Sequence, residues 1–437
     1  MAKAANSPHG DLSTVRIGVV GHGVVGSAFT ALVARQRDVI AARTGVSLDV
    51  VRIAVSDAGK HPSRVGSADV VTDAMAVATA NDVDLVVEVM GGTTLAGEVI
   101  RAALEGGKPV VTANKALLAA RSAEFFKIAD ERGIDLLFEA AVCGGIPLIR
   151  PLRESLRGEP IRRVLGIVNG TTNFILTKMT EDGLDYASAL RGAQQLGYAE
   201  ADPTADVEGL DAAAKIAIVA NFAFGVHVVA DDVSVEGISK LSAGDIAMAH
   251  KFGYVIKLLG VAECDVQSGA VSVRVHPALV PVKHPLAAVR EAFNAVLVEG
   301  DASGSLMFYG RGAGGDPTAS SVLGDVIDAA VNLRKGTHAS LGTFAKATFT
   351  SVNETRSEFM LSLEVADKPG VLHAVTGVFA RNKVSIRAAE QDGIGNDARL
   401  VFLTHDARTA DMKTCLDEFH RLDVVSKVGG FIRIIGG

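Results

Sequence analysis

TVRIGVVGHGVVGSAFTALVARQ, residues 14–36, opens as a short apolar run, Val15 to Val20, meets glycines at 21, 23 and 26, and continues as a helix-forming stretch. A GxGxxG pattern alone is a weak sign. Between a strand and a helix it is stronger, because the glycines permit a tight turn and let a pyrophosphate reach the amides at the helix N-terminus. Working outward, further strands are expected at Val50 to Val55, Leu85 to Val89, Pro109 to Thr112 and Ile134 to Phe138, with helical segments such as GEVIRAALEGG between them. That alternation predicts a doubly wound parallel sheet, a Rossmann-like α/β domain for a dinucleotide.

Ligands of such sheets lie beyond the carboxyl ends of the strands. VEVMGGTT, residues 87–94, and VVTANKALL, residues 110–118, stand there, which puts Lys115 over the crevice, where a cation can polarise a carbonyl oxygen. A second lysine closes GYAEADPTADVEGLDAAAK, residues 197–215. This stretch gathers Glu200, Asp202, Asp206, Glu208 and Asp211, then enters LDAAAKIAIVANFAF, whose only charges are Asp211 and Lys215. A helix apolar on nearly every face is buried, and residues four apart share one side of it. Buried charge needs a partner, so Lys215 among carboxylates reads as a site, and the acidic loop as a holder for a cationic ligand.

At 437 residues the chain should form two or three domains. Net charge of −7, few aromatics and no Trp give neither the basic surface nor the stacking platforms of a nucleic-acid binder. Cys143, Cys264 and Cys415 are scattered and odd in number, which suits a reducing cytoplasm. The longest apolar run, 216–230, is broken by Asn221 and His227 and falls short of the ~20 residues a membrane span needs. The opening MAKAANSPHGDLST lacks the apolar core of a signal peptide and reads as an unstructured lead-in.

Two later stretches carry structure of their own. GRGAGGDPTAS, residues 310–320, follows an apparent strand and opens a helix, with Asp316 and Pro317 suited to the cap and first turn. After the polar connector RKGTHASLGTFAKATFTSVNET, strands are expected at 359–365, 384–390, 399–404 and from 424, with helices at 371–381 and 410–422. The order βαββαβ is the ferredoxin-like split unit.

Taken together and in order, GHGVVG, TANKALL, FEAAVCGGIP, NGTTNFIL, GYAEADPTADVEGLDAAAK and FYGRGAGGDPTAS resemble homoserine dehydrogenase. ADKPGVLHAVTGVFARNKVSI, residues 366–386, is similar to an ACT domain, a regulatory module that binds amino acids. The resemblance implies an NAD(P)-binding Rossmann-like domain over 15–150, completed by about 310–335; a mixed α/β substrate and dimerisation domain over 151–310; a linker over 336–357; and an ACT domain over 358–437. It implies interconversion of L-homoserine and L-aspartate 4-semialdehyde with NADP or NAD, on the route to threonine and methionine, in a cytoplasmic homodimer or homotetramer. Lys215 would be the proton donor and Lys115 the second catalytic lysine, with Glu200, Asp211, Asp206, Gly197 and Tyr198 around the substrate. The dinucleotide would lie on Gly21, Gly23, Val24, Val25, Gly26, Gly91, Gly92, Lys115 and Gly312. FEAAVCGGIP resembles the family's sodium loop, with a side-chain oxygen from Glu139 and carbonyls of Val142, Gly144 and Ile146. L-threonine, as end product, is the implied effector.

Ser56 in VSDAGK, residues 55–60, stands where many relatives carry a basic residue for a 2′-phosphate. Asp57 could take a ribose 2′-hydroxyl instead, which favours useful activity with NAD, although Lys60 and Arg64 follow. Two other readings compete. In one, Cys143 attacks the semialdehyde as a thiol. In the other, the chain is a non-catalytic NAD-binding sensor with the ACT domain as its output, a reading that needs neither lysine.

Overall fold

The computed structural model describes residues 13–393 and 398–436. The expected lead-in lies outside the described residues as far as residue 12, and Ser13 and Thr14 open the first strand. The chain forms two compact units. The first takes residues up to Gly158, then Ala217–Ala230 and Gly310–Lys346; the second takes Glu159–Ile216, Asp231–Tyr309 and the chain from Ala347.

In the first unit a seven-stranded sheet runs Arg64–Val65, Ala68–Val71, Val46–Ala54, Ser13–Val20, Leu85–Glu88, Val110–Thr112, Leu136–Leu137. All neighbours are parallel except the first pair. Ile17, Val19, Leu85, Val86, Val87, Val110 and Val111 are almost completely buried, as expected of strands covered on both faces. Helices Val24–Thr44 and Gly315–Lys335 share one core with this sheet through Phe29, Val33, Val322 and Val326. The doubly wound expectation holds. Ala68–Val71 went unread, since four residues between turns carry too little periodicity.

The second unit is built on an eleven-stranded sheet. Its main path is Gly304–Arg311, Phe293–Gly300, Ile161–Ile167, Tyr254–Cys264, Val271–Pro281, Val425–Ile434, Arg356–Val365, Arg399–Thr404, Ile386–Asp392. The last four strands, with helices Val371–Arg381 and Thr409–Phe419, are the expected βαββαβ unit with its own core around Phe359, Phe379, Phe402 and Phe419. That unit does not close on itself. Its final strand pairs in parallel with Val271–Pro281, Ala278 to Arg433 and Leu279 to Ile434, so one sheet runs through both parts. Among the described residues no helix is long and apolar enough to cross a membrane.

Candidate active site

The glycine loop is fixed by space. Gly21 has φ of 101°, and a Cβ there would stand 2.7 Å from the backbone of Met90. A Cβ on Gly26 would stand 2.1 Å from the Gly21 carbonyl, so only glycine lets helix and strand approach this closely. Gly23 has open space on its Cβ side, and the helix Val24–Thr44 starts from it without a side-chain cap. The first helical amides, beginning at the 75% exposed Val24, are therefore available to an anion, while Val25 packs on the core. Beside them a cavity of about 370 Å³ is lined by His22, Ser56, His61, Thr72 and Met90 among others. These features fit a dinucleotide.

The turn that follows the lining residues Val89 and Met90 is organised by two buried groups that sequence reasoning missed. Glu88 Oε1 accepts from the amides of Met90 (3.0 Å) and Gly91 (3.3 Å), and Oε2 accepts from Thr112 Oγ1 at 2.6 Å. Burial pushes this carboxyl above its ordinary range, and those bonds oppose the push. Asn114 Nδ2 donates to the Gly92 carbonyl at 2.7 Å and its Oδ1 caps the helix Lys115–Arg132. Gly91 and Gly92, both with φ of 76°, are thereby tied to the turn that presents Lys115, a half-buried residue. Asp57 turns back to accept from the amide of Gly59 at 2.9 Å, with Lys60 3.5 Å away, so it serves its own turn and Ser56 faces the cavity.

In the second unit, the pairing expected from the i, i+4 spacing is present: Lys215 Nζ lies 2.7 Å from Asp211 Oδ2 and donates to the Val168 carbonyl at 2.8 Å. Their side chains are only 12% and 9% exposed. Asn169, unassigned from sequence, joins the carboxylates: its Nδ2 donates to Asp206 Oδ1 at 2.7 Å and to Asp211 Oδ2 at 2.8 Å. Its Oδ1 caps the helix Gly170–Glu181. The available signal was NGTTN, a good cap sequence. Burial first, and then Asp211, push the Asp206 carboxyl up. Thr171 Oγ1 donates to the Tyr198 carbonyl at 2.6 Å, and the Tyr198 ring lies 5.1 Å from that of Phe174, which brings Gly197 and Tyr198 alongside. Glu200 is exposed, and among the described bonds its carboxylate does not join this cluster.

FEAAVCGGIP folds around a buried carboxylate in the first unit. Glu139 Oε1 accepts from the amides of Leu148 and Ile149, and Oε2 accepts from Arg150 N at 2.8 Å. Three amides on four lone pairs leave the side chain one direction for a cation, so a sodium ion here would lean on carbonyls. The Glu139 amide donates to Asp325 Oδ2 at 2.7 Å, and burial, with Glu139 beside it, pushes Asp325 up to about 7. Gly144, with φ of 48°, lies against Gly312: an added Cβ would meet that carbonyl at 2.5 Å. Cys143 is 1% exposed, a buried hydrophobe in place of an attacking thiol. One cap expectation fails: the helix Gly315–Lys335 starts from Gly314 at φ of 117°, a conformation glycine alone takes readily, so Asp316 and Pro317 both lie in its first turn.

Sequence comparison agrees with this geometry. A family profile described as homoserine dehydrogenase matches residues 147–327, one described as the homoserine dehydrogenase NAD-binding domain matches 21–139, and one for the ACT domain matches 359–424. Homoserine dehydrogenase of Corynebacterium glutamicum is 47% identical over 437 residues, covering 99% of this chain and 98% of that protein. The Mycobacterium leprae enzyme is 48% identical over 438 residues, covering 98% and 99%. Among solved structures, a homoserine dehydrogenase from Thiobacillus denitrificans superposes with a TM-score of 0.92 at 37% identity, covering 97% of this chain and 99% of that one. A hyperthermophilic archaeal homoserine dehydrogenase in complex with NADPH gives 0.62 at 28% identity, covering 72% and 97%. A glycine loop shaped for a dinucleotide, a lysine set beside two carboxylates, and full-length likeness converge: the chain belongs to the homoserine dehydrogenase family of NAD(P)-dependent oxidoreductases that act on a CH–OH group.

Proposed function

We propose that the chain interconverts L-homoserine and L-aspartate 4-semialdehyde, with Lys215 as the proton-transferring group and the cluster Asn169–Asp206–Asp211–Lys215 as the observation that carries the reading. A nicotinamide dinucleotide held at the Gly21–Gly26 loop would supply or accept the hydride. The protein's own part is the proton and the orientation. In the reducing direction Lys215 gives a proton to the aldehyde oxygen as that oxygen gains electron density, a step that contributes ~10² to 10⁴ in rate. Lys115 adds positive charge from the cofactor-side crevice.

Asp211 already faces Lys215, whereas Asp206 is half-buried beside it with one asparagine donor. Asp206 is therefore the better seat for the substrate ammonium, whose charge would also draw its carboxyl back down. Glu200, Gly197 and Tyr198 form the rim. Carbonyls of Val142, Gly144 and Ile146, with Glu139 beneath, are our assignment for a monovalent cation. Ser56 and the committed Asp57 leave the adenosine ribose without a dedicated acidic partner, which favours use of both NAD and NADP. We further assign residues 15–150 with 310–335 to cofactor binding, 151–310 to substrate binding and dimerisation, 336–357 to a linker and 358–437 to threonine sensing, in a cytoplasmic homodimer or homotetramer.

Homoserine-dependent reduction of NAD and NADP, followed spectrophotometrically, tests the activity. Turnover with either cofactor that Lys215→Ala lowers by ~10² or more is expected. Full turnover in the folded variant removes the role given to Lys215, and none in the unmodified chain removes the substrate.

A further inference from the structure

Where the final strand joins the sheet, three side chains that are nine-tenths buried line one cavity. Arg274 and His276 lie two apart on Val271–Pro281 and so point to the same face. Arg433 comes from the neighbouring strand Val425–Ile434. They are 8%, 3% and 8% exposed, and the cavity, about 320 Å³, is also lined by Arg356, Ser357 and Asp406. Arg274 Nε, Arg433 Nε and His276 Nε2 all lack a hydrogen-bond partner among the described residues. Buried polar atoms are seldom left so, and three on side chains that line one space point to an occupant.

The charges say which kind. Glu263 holds Arg274 at 2.7 Å and Glu236 approaches Arg433 only to 3.6 Å. These carboxylates are 34% and 51% exposed, against 9% and 10% for the two arginine side chains. The cations are inside and the anions at the edge, so the interior favours negative charge. His276 adds a constraint. Its Nδ1 lies 2.8 Å from the Pro277 carbonyl, which can only accept, so Nδ1 carries the proton and Nε2 presents a lone pair. Burial, with Arg433 and Arg274 nearby, holds the ring well below its ordinary pKa and hence neutral. The three side chains lining the cavity therefore hold two N–H donors and one acceptor without a partner among the described residues.

We propose that this cavity binds a small oxyanion that keeps a proton, hydrogen phosphate, with oxygens on Arg274 and Arg433 and its P–OH donated to His276 Nε2. Sulfate has the same shape and no proton to give, so the site should distinguish them. Because the ligand spans the join between the catalytic sheet and the C-terminal βαββαβ unit, its binding stiffens that join.

Calorimetry with inorganic phosphate and with sulfate on the full chain, NADP saturating so that the glycine loop does not compete, tests this. Phosphate should bind at least ~10-fold tighter than sulfate. Arg433→Met, which keeps volume without charge, should weaken phosphate at least ~10-fold and leave NADP affinity unchanged, and His276→Leu should bring the phosphate-to-sulfate ratio near one. The ranking of the two anions on the unmodified chain needs no variant to fold. No phosphate binding at ~10 mM, sulfate equal to phosphate, or Arg433→Met binding as before would each overturn the proposal and leave a water-filled cavity.

Discussion

One asparagine holds the Asp206–Asp211–Lys215 cluster in register, and its two ends can be tested apart. Asn169→Ala removes donors from Asp206 and Asp211 and the cap of Gly170–Glu181, so KM for homoserine should rise ~10-fold or more while stability falls by ~1 kcal/mol. Asn169→Asp restores a good cap but sets a third carboxylate beside two others. Denaturation midpoints should then recover while KM stays high; recovery of both would reduce Asn169 to a cap. Lys257 gives a second prediction. It is 4% exposed, donates to Asn173 Oδ1 and the Val289 carbonyl, and burial lowers it from 10.5 to about 8. With the folded value below the unfolded one, the unfolded chain binds more protons between pH 8 and 10.5. Stability therefore rises with pH across that window, and this contribution is lost as pH falls through about 8. Lys257→Met should flatten that rise, by up to ~3 kcal/mol, in urea titrations at the two ends of the window. An unchanged slope would place the pH dependence elsewhere.

Elements were legible where local physics decides them. The strand–GxGxxG–helix passage is dictated by φ at Gly21 and space at Gly26, and the i, i+4 pair Asp211–Lys215 by helix geometry. Asn169 was not legible as a member of this cluster, because its partners lie 37 and 42 residues away and nothing local marks them. Glu139 illustrates the same limit: only resemblance marks FEAAVCGGIP as a cation loop, and nothing local shows that folding brings the amides of 148–150 to this carboxylate. The start of Gly315–Lys335 misled for a different reason, since a glycine at φ of 117° replaced the side-chain cap that Asp316 seemed to offer. At this scale the contact of two loops is the sharpest test. Gly144→Ala must push the Gly312 backbone away from a left-handed residue, which should destabilise the first unit by ~1–3 kcal/mol and raise KM for the cofactor. Wild-type thermal stability and KM in that variant would show that the two loops yield freely.

At the scale of the whole molecule, the threonine site proposed for the C-terminal βαββαβ unit can be tested for coupling to activity. Helix Val371–Arg381 starts at Gly370, φ 92°, without a side-chain cap, and Asp367 accepts from Gln391 Nε2 at 3.3 Å nearby. Calorimetry should show threonine binding that Asp367→Ala weakens at least ~10-fold, with a coupling to homoserine affinity of ~1–3 kcal/mol. Threonine inhibition untouched by that change would put the effector elsewhere. Any such path would be short, because the βαββαβ unit shares a sheet with the rest of the second unit through Ala278–Arg433 and Leu279–Ile434. That shared strand also orders events during synthesis. Val425–Ile434 sits between Val271–Pro281 and Arg356–Val365 yet follows both in the chain, so neither neighbour can be completed on the ribosome until it has emerged. Until then two strand edges stand open, and the nascent enzyme is at its most prone to pair with another copy of itself before that strand is in place.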